Sequence, residues 1–364
     1  MTADAVGGVW QYALDLADGL RRHGVKTTLA VLGPAPSADQ RASAEAAGAT
    51  IILTDLPLDW TAGSQGEVAE AGHALARIAA HVKPDIVHLN SPALAASARF
   101  GVPVVAVCHS CVATWWQAVK GGSLPEEFVW RTDLVRQGYA AADRLLAPTL
   151  AFAQATAQAY DLPKAPVVVR NGRGAVQADN GASSEPFVFT AGRLWDEGKN
   201  FAAIDRAAAH LSVPVIAAGP LHGPNGARIE ACNVRALGRV SDMEIAQHLG
   251  AQPVFVSVAR YEPFGLAVLE AAQAGCPLIL SDIPTFRELW GGAALFMQPN
   301  DEEALGSAIE SLVQDPEARA DLGRAARKRA DAYTVEAMSA GVLAAYRSVL
   351  SQQSHESSLE GAAA

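Results

Sequence analysis

The feature that most constrains this chain is an alternation, carried almost end to end, of short apolar runs with helical stretches. Thr27 to Leu32, Thr50 to Leu53, Asp85 to Leu89 and Pro103 to Cys108 read as short apolar strands, and stretches such as Glu67 to His81, bounded by Gly and Pro, read as the helices between them. The pattern restarts at Phe187 to Ala191 and continues through Val213 to Ala218, Asn233 to Leu237, Pro253 to Val258 and Cys276 to Leu280. Strands joined through helices imply right-handed βαβ units and a parallel sheet covered on both faces, an α/β class with doubly wound sheets. Ligands of such sheets sit beyond the carboxyl ends of the strands.

A chain of 364 residues is longer than one core usually supports, so two domains are expected. Half its residues are hydrophobic and 18% are charged, enough to fill two cores. The net charge of −10 argues against a nucleic-acid partner, whose affinity would come largely from neutralising phosphates. No apolar run reaches the roughly 18 residues of a membrane span and the start carries no signal-peptide pattern, so the chain reads as cytoplasmic. Four cysteines do not make a disulfide framework. Cys108 and Cys111 have no second pair to complete a metal site, and read as buried thiols.

Chemistry concentrates in Tyr261 to Glu270. After the Pro253 to Val258 strand, Pro263 and Gly265 break the chain, and Leu266 to Ala274 has the alanine and leucine content of a buried helix closed by Gly275. The first turn of that helix offers unpaired N–H groups to an anion, so the amides of Phe264, Gly265 and Leu266 are candidate phosphate donors. Glu262 and Glu270 flank the turn, and carboxylates there suit hydroxyl groups better than phosphate. Phosphate in the middle with hydroxyls at both ends describes a sugar nucleotide.

The segment resembles the Glu-x7-Glu motif of retaining glycosyltransferases, in particular glycosyltransferase family 4. A second segment, Gly192-Arg193-Leu194-Trp195-Asp196-Glu197-Gly198-Lys199-Asn200, is similar to the family's Gly-Arg-Leu…Lys-Asn motif. The resemblance implies that Arg193 and Lys199 hold the donor diphosphate, Glu262 the donor-sugar hydroxyls and Glu270 the ribose. The loop ending at Val240 resembles the stretch that grips the nucleobase through backbone. His109, directly after Val104 to Cys108, stands where family members carry an active-site histidine, and His88 sits on the strand before it. Trp115, Trp116 and Trp130 could line an acceptor pocket by stacking on a sugar, although burial is the commoner explanation of such aromatics.

Gly7 and Gly8 form a glycine turn leading into the helix Val9 to His23, a donor-side position in the family. The strand that should precede this turn is missing from the pattern: either the chain begins late, or Met1 to Thr2 is its stub. The implied fold is GT-B, two Rossmann-like domains with a cleft between them. Residues 1–166 read as the acceptor-binding domain and 167–186 as a polar, glycine-rich linker. Residues 187–332 read as the donor-binding domain, 333–350 as a helix returning to the first domain and 351–364 as a disordered tail. Arg173 and Gly174 stand where the family often has an apolar residue and Asp, so no role carries across there.

The implied reaction moves a sugar from a UDP-, GDP- or ADP-sugar to a hydroxyl of a glycan, small metabolite or lipid. The chain has no Asp-x-Asp pair, so no metal and no other cofactor are expected, and Arg193, Lys199 and the helix amides would neutralise the leaving diphosphate. Arg21, Arg22 and Lys26 are too few to make a membrane-binding helix, which leaves peripheral membrane contact open. Three other readings fit a similar scaffold: a sugar-nucleotide epimerase, a phosphorylase, and a non-catalytic sugar-nucleotide binder.

Overall fold

Strands buried on both faces pair in parallel through helical crossovers. In a computed structural model, which describes residues 1–174 and 185–363, every pairing between named strands is parallel. The first unit comprises Met1–Gln117, Gly121–Gly172 and the chain from Val335 on; the second comprises Ala118–Lys120 and Arg173–Thr334.

In the first unit β1 (Thr2–Asp4), α1 (Gly8–Arg21), β2 (Thr27–Leu32), α2 (Ala38–Ala46) and β3 (Ala49–Leu53) build a three-stranded sheet of order β1-β2-β3. After α3 (Gln65–Val82), a second sheet of order β4-β5-β6-β7 is formed by β4 (Val87–Leu89), β5 (Val104–Val107), β6 (Arg144–Ala147) and β7 (Val167–Val168), with α4 (Val112–Val119), α5 (Glu126–Ala141) and α6 (Leu150–Tyr160) between them. The strand that the sequence pattern lacked is therefore present. Three residues ending in Asp carry no apolar period of their own, and β1 is a strand because it pairs with β2, Thr2 opposite Ala30.

Helix α1 buries Tyr12, Leu16 and Leu20, spaced one turn apart, against Val105, Val107 and Leu146 of the sheet and Met338, Val342 and Tyr346 of the C-terminal helix Val335–Ala363. Each such side chain, fully buried, contributes about 1.5–3 kcal/mol. That last helix runs past Leu350, where a disordered tail was expected; Ala, Glu and Gln there are good helix formers. Of the expected linker, Val167 and Val168 belong to β7, and residues 175–184 lie outside the described residues.

The second unit is one six-stranded sheet of order β10-β9-β8-β11-β12-β13, from β8 (Val188–Ala191), β9 (Val215–Ala218), β10 (Arg235–Ala236), β11 (Val254–Ser257), β12 (Leu278–Ser281) and β13 (Leu295–Met297). Its helices are α7 (Phe201–Ala208), α8 (Asp242–Gly250), α9 (Leu266–Ala274), α10 (Pro284–Trp290), α11 (Glu302–Gln314) and α12 (Pro316–Ala330). The period of two sorts the strand residues between two cores. Phe189, Phe255 and Leu278 pack with Phe286 and Trp290, while Val188, Val254 and Ile279 pack with Phe201, Ile204 and Ile309 on the other face. Counted from β8, the order is 3-2-1-4-5-6, and the winding reverses between β8 and β11. A crevice opens at the carboxyl ends of such a strand pair.

Candidate functional site

Both motifs singled out in the sequence leave the sheet of the second unit at that switch point: Gly192 to Asn200 follows β8 and Tyr261 to Leu266 follows β11. The two loops are laced together. The Gly198 carbonyl accepts the amides of Arg260, at 2.9 Å, and Tyr261, at 3.2 Å. Asn200, held at φ 56°, donates its side-chain amide to the carbonyls of Val258, at 3.0 Å, and Pro299, at 2.6 Å. Gly219, at the end of β9, makes room for the first loop: a Cβ there would lie 1.8 Å from the Gly192 carbonyl oxygen.

Within this frame the Lys199 ammonium donates to the Glu262 carboxylate, both side chains being mostly buried. The Arg193 guanidinium donates to Asp196 at 2.9 Å and lies 5.6 Å from the Trp195 ring centre. Buried Asp196 also accepts the Gly198 amide at 2.9 Å, so one carboxylate sets both the turn and the arginine. The Glu262 carbonyl accepts the Thr285 hydroxyl at 2.7 Å.

Gly265 caps α9 at φ 90°, in the left-handed region, and no side chain caps the helix there. The first-turn amides of a helix have no intrahelical partner, which leaves those at Gly265 and Leu266 available to an anion. Phe264 contributes only its backbone, because its ring is buried edge-on against Tyr333 at 5.8 Å. Val240 packs on the core beside the Gly238 carbonyl, which accepts the Gly219 amide at 2.7 Å and ties this loop to the same strand ends.

Glu270, expected to meet a ribose, accepts a hydrogen bond from Arg173 Nε at 2.6 Å, in a pair about 85–90% buried. Gln273 donates to the Arg173 carbonyl at 2.9 Å. Sequence reasoning passed over Arg173 because it departs from the family pattern, yet the departure sits on the motif's second glutamate. Asp196 was also missed, although a carboxylate three residues after Arg193 in a tight turn is a signal of pairing.

In the first unit His109 follows β5, Gly7 lies between β1 and α1, and Gly8 is the first residue of α1. Gly7 has φ −145°, so the turn needs no left-handed residue there; it caps α1 without a side chain. His109 Nε2 lies 2.8 Å from Asn90 Oδ1, and Tyr12 stands edge-on at 4.5 Å between ring centres. The residue keeps some solvent contact, but loss of hydration around the ring holds its pKa down at about 3, so it is neutral near pH 7. His88, buried on β4, is depressed to about 3 for the same reason first, and its Nδ1 meets the Tyr346 hydroxyl at 2.8 Å.

Asn90 and Asp59 are further residues the sequence reading missed. Asn90 sits one place past β4, the position that drew attention to His109 one strand later. Asp59 is raised to about 6, chiefly by burial and in smaller part by the charge of Asp4. Trp115 and Trp116 pack together with Phe128, and Trp130 carries the Arg131 guanidinium 4.3 Å from its ring centre. A mostly apolar cavity of about 410 Å³ beside β3 and α3, lined by residues including Ile52, Leu56, Ile78 and Val82, holds none of these groups.

Residues 6–173 match glycosyltransferase family 4, and residues 178–329 match glycosyl transferases group 1. Glycogen synthase of Mycobacterium tuberculosis is 27% identical over 369 residues, covering 88% of this chain and 88% of that protein. Sucrose-phosphate synthase from Thermosynechococcus elongatus superposes with a TM-score of 0.77 at 18% identity, over 96% of this chain and 99% of that one. HepE of Anabaena, solved in complex with UDP and glucose, does so with a TM-score of 0.71 at 19% identity, over 95% and 99%. At such identities the superpositions speak for the fold, two Rossmann-like units of the GT-B type. Together the two matched segments span nearly the whole chain, with the Arg-Lys and Glu-x7-Glu motifs at the switch point of the second sheet, and the chain therefore belongs to glycosyltransferase family 4, as a hexosyltransferase of group 1.

Proposed function

We propose that this chain is a retaining, metal-independent transferase that moves a sugar from a nucleoside diphosphate sugar to a hydroxyl acceptor. One observation carries the reading: Lys199 and Glu262, from the loops after β8 and β11, meet beside an uncapped helix N-terminus at the sheet's switch point. Arg193, Lys199 and the amides of Phe264, Gly265 and Leu266 take the diphosphate, and fixed positive charge stabilises it as it leaves. Glu262 accepts from hydroxyls of the transferred sugar, and Glu270 from the ribose. The Val240 loop meets the base through its backbone.

His109, with Gly7 and Gly8, serves from the first unit. The acceptor is a glycan, a small metabolite or a lipid. UDP and glucose in the HepE structure support the donor class. No helix among the described residues is long and apolar enough to cross a membrane. Our reading places the reaction in the cytoplasm, supported by four cysteines that form no disulfide.

The test is a panel of UDP-, GDP- and ADP-sugars, read by thermal stabilisation and by slow hydrolysis in excess chelator. One donor should stabilise the chain by about 2.7 kcal/mol at a hundred times its Kd. Isomerisation of the donor with no acceptor present, or turnover that needs free phosphate, would replace this reading with an epimerase or a phosphorylase. Activity that vanishes in chelator and returns with Mg2+ would overturn metal independence.

A further inference from the structure

The hydrogen bonds around Asn90 decide which nitrogen of His109 carries the proton. Asn90 is buried at the carboxyl end of β4. Its backbone N–H donates to the Thr2 hydroxyl at 2.8 Å, and its side-chain Nδ2 donates to the Thr2 carbonyl at 2.6 Å. A carbonyl only accepts, so the amide nitrogen must face Thr2 and the amide oxygen must face His109. That oxygen has no hydrogen to give. The 2.8 Å contact therefore requires a proton on His109 Nε2, and the neutral ring keeps its lone pair on Nδ1. Among the described residues no hydrogen bond to Nδ1 is found.

We propose that Asn90 is a positioning residue, pinned by Thr2 of β1, which fixes His109 as the Nε2–H tautomer so that Nδ1 presents an acceptor and not a donor to the substrate. The inference rests on the reading of His109 as a site residue. It specifies what His109 can do: accept a hydrogen bond from a sugar or acceptor hydroxyl, and not supply one to the leaving diphosphate.

The surroundings agree with a neutral ring. Tyr12 faces it from α1 and His88 from β4, while Tyr346 of the C-terminal helix holds the far side of His88. Burial accounts for the depressed basicity of His109, and among the described residues no carboxylate contributes to it. An Asp in place of Asn90 would change that, because its acceptor-only oxygens would favour the doubly protonated ring.

The test is ring-nitrogen NMR on the full chain with 15N-histidine, in the wild type and in Asn90→Asp. The wild type should show a protonated Nε2 and a bare Nδ1 from pH 5 to 8. In Asn90→Asp the His109 titration should move up by at least one pH unit. Turnover of whichever of UDP-glucose, GDP-mannose or ADP-glucose proves to be the donor should fall about tenfold in Asn90→Asp at pH values below the shifted His109 titration and recover as the ring deprotonates. A wild-type ring protonated on Nδ1, or on both nitrogens at pH 7, overturns the proposal; this needs no variant to fold. So does an unchanged titration in a folded Asn90→Asp. Full turnover by His109→Ala alongside an Nε2–H spectrum would overturn the positioning role by removing its function, and would leave the tautomer as a structural fact only.

Discussion

The Lys199 ammonium and the Glu262 carboxylate, sixty-three residues apart in the chain, are hydrogen-bonded where the loops after β8 and β11 converge. On the proposed reading, a diphosphate entering this site would meet a lysine already paired, and the cation would be shared between Glu262 and phosphate, an arrangement suited to a ligand that carries phosphate and hydroxyls together.

Removing either partner should therefore cost catalysis. A charge-assisted hydrogen bond contributes about 1.5–3 kcal/mol, so Lys199→Ala and Glu262→Gln should each lose at least about tenfold in kcat/KM for the donor. Steady-state kinetics check this. Wild-type values in both variants would remove the pair from the site.

Arg173 and Glu270 form the more enclosed pair, and single truncations leave a charge without its partner. Arg173→Ala and Glu270→Ala should each destabilise the chain by about 3 kcal/mol, and the double variant should cost much less than the sum. Urea unfolding of the four proteins gives the coupling. Additive losses would mean that the two side chains do not depend on each other.

Gly265 and Gly219 test the backbone of the site. Gly265→Ala puts a Cβ on a left-handed residue, with Phe286, Glu262 and Val268 atoms 3.2–3.3 Å away, and should cost about 1–2 kcal/mol together with donor affinity. Gly219→Ala should be worse, because its Cβ meets the Gly192 backbone. Melting curves with and without nucleotide would show the order; equal, negligible losses would contradict the geometry.

Acid should destabilise the fold. His88 and His109 stay neutral down to about pH 3, whereas unfolded histidine titrates near 6.5, so unfolding between these values takes up two protons. This stability is fully present above about pH 6.5 and is lost as pH falls. Asp59, raised to about 6, acts the other way between its ordinary value and 6, cancelling one proton. The net slope from pH 6 to 4.5 should be about 1.4 kcal/mol lost per unit of acidification. Exposed carboxylates held low by Arg partners, such as Asp18 and Asp282, add in the same direction. Urea midpoints across this range provide the measurement, and a flat or opposite trend would contradict it.

Most of this architecture is legible in the sequence because its strands are short apolar runs and its helices carry caps and glycine stops. Val254–Ser257 and Leu266–Ala274 show in their composition where strand ends and helix starts, and the turn between them marks the site. β1 is not legible, since Thr2–Asp4 owes its conformation to pairing with β2. Nor is the Arg173–Glu270 pair, which spans ninety-seven residues and depends on tertiary approach. His109 stands out by position; Asn90, which sets its proton, becomes visible only when Thr2 is seen to fix the orientation of its amide.

The central claim is that two basic side chains and the opening amides of α9 hold a nucleoside diphosphate sugar without a divalent ion. Calorimetric titration of UDP-, GDP- and ADP-glucose into the wild type, Arg193→Ala and Lys199→Ala, all in excess EDTA, addresses it most directly. The account predicts saturable one-to-one binding of one of these donors to the wild type, weakened at least about tenfold in both variants. Binding that appears only on adding Mg2+, or that is unchanged in both variants, would contradict it.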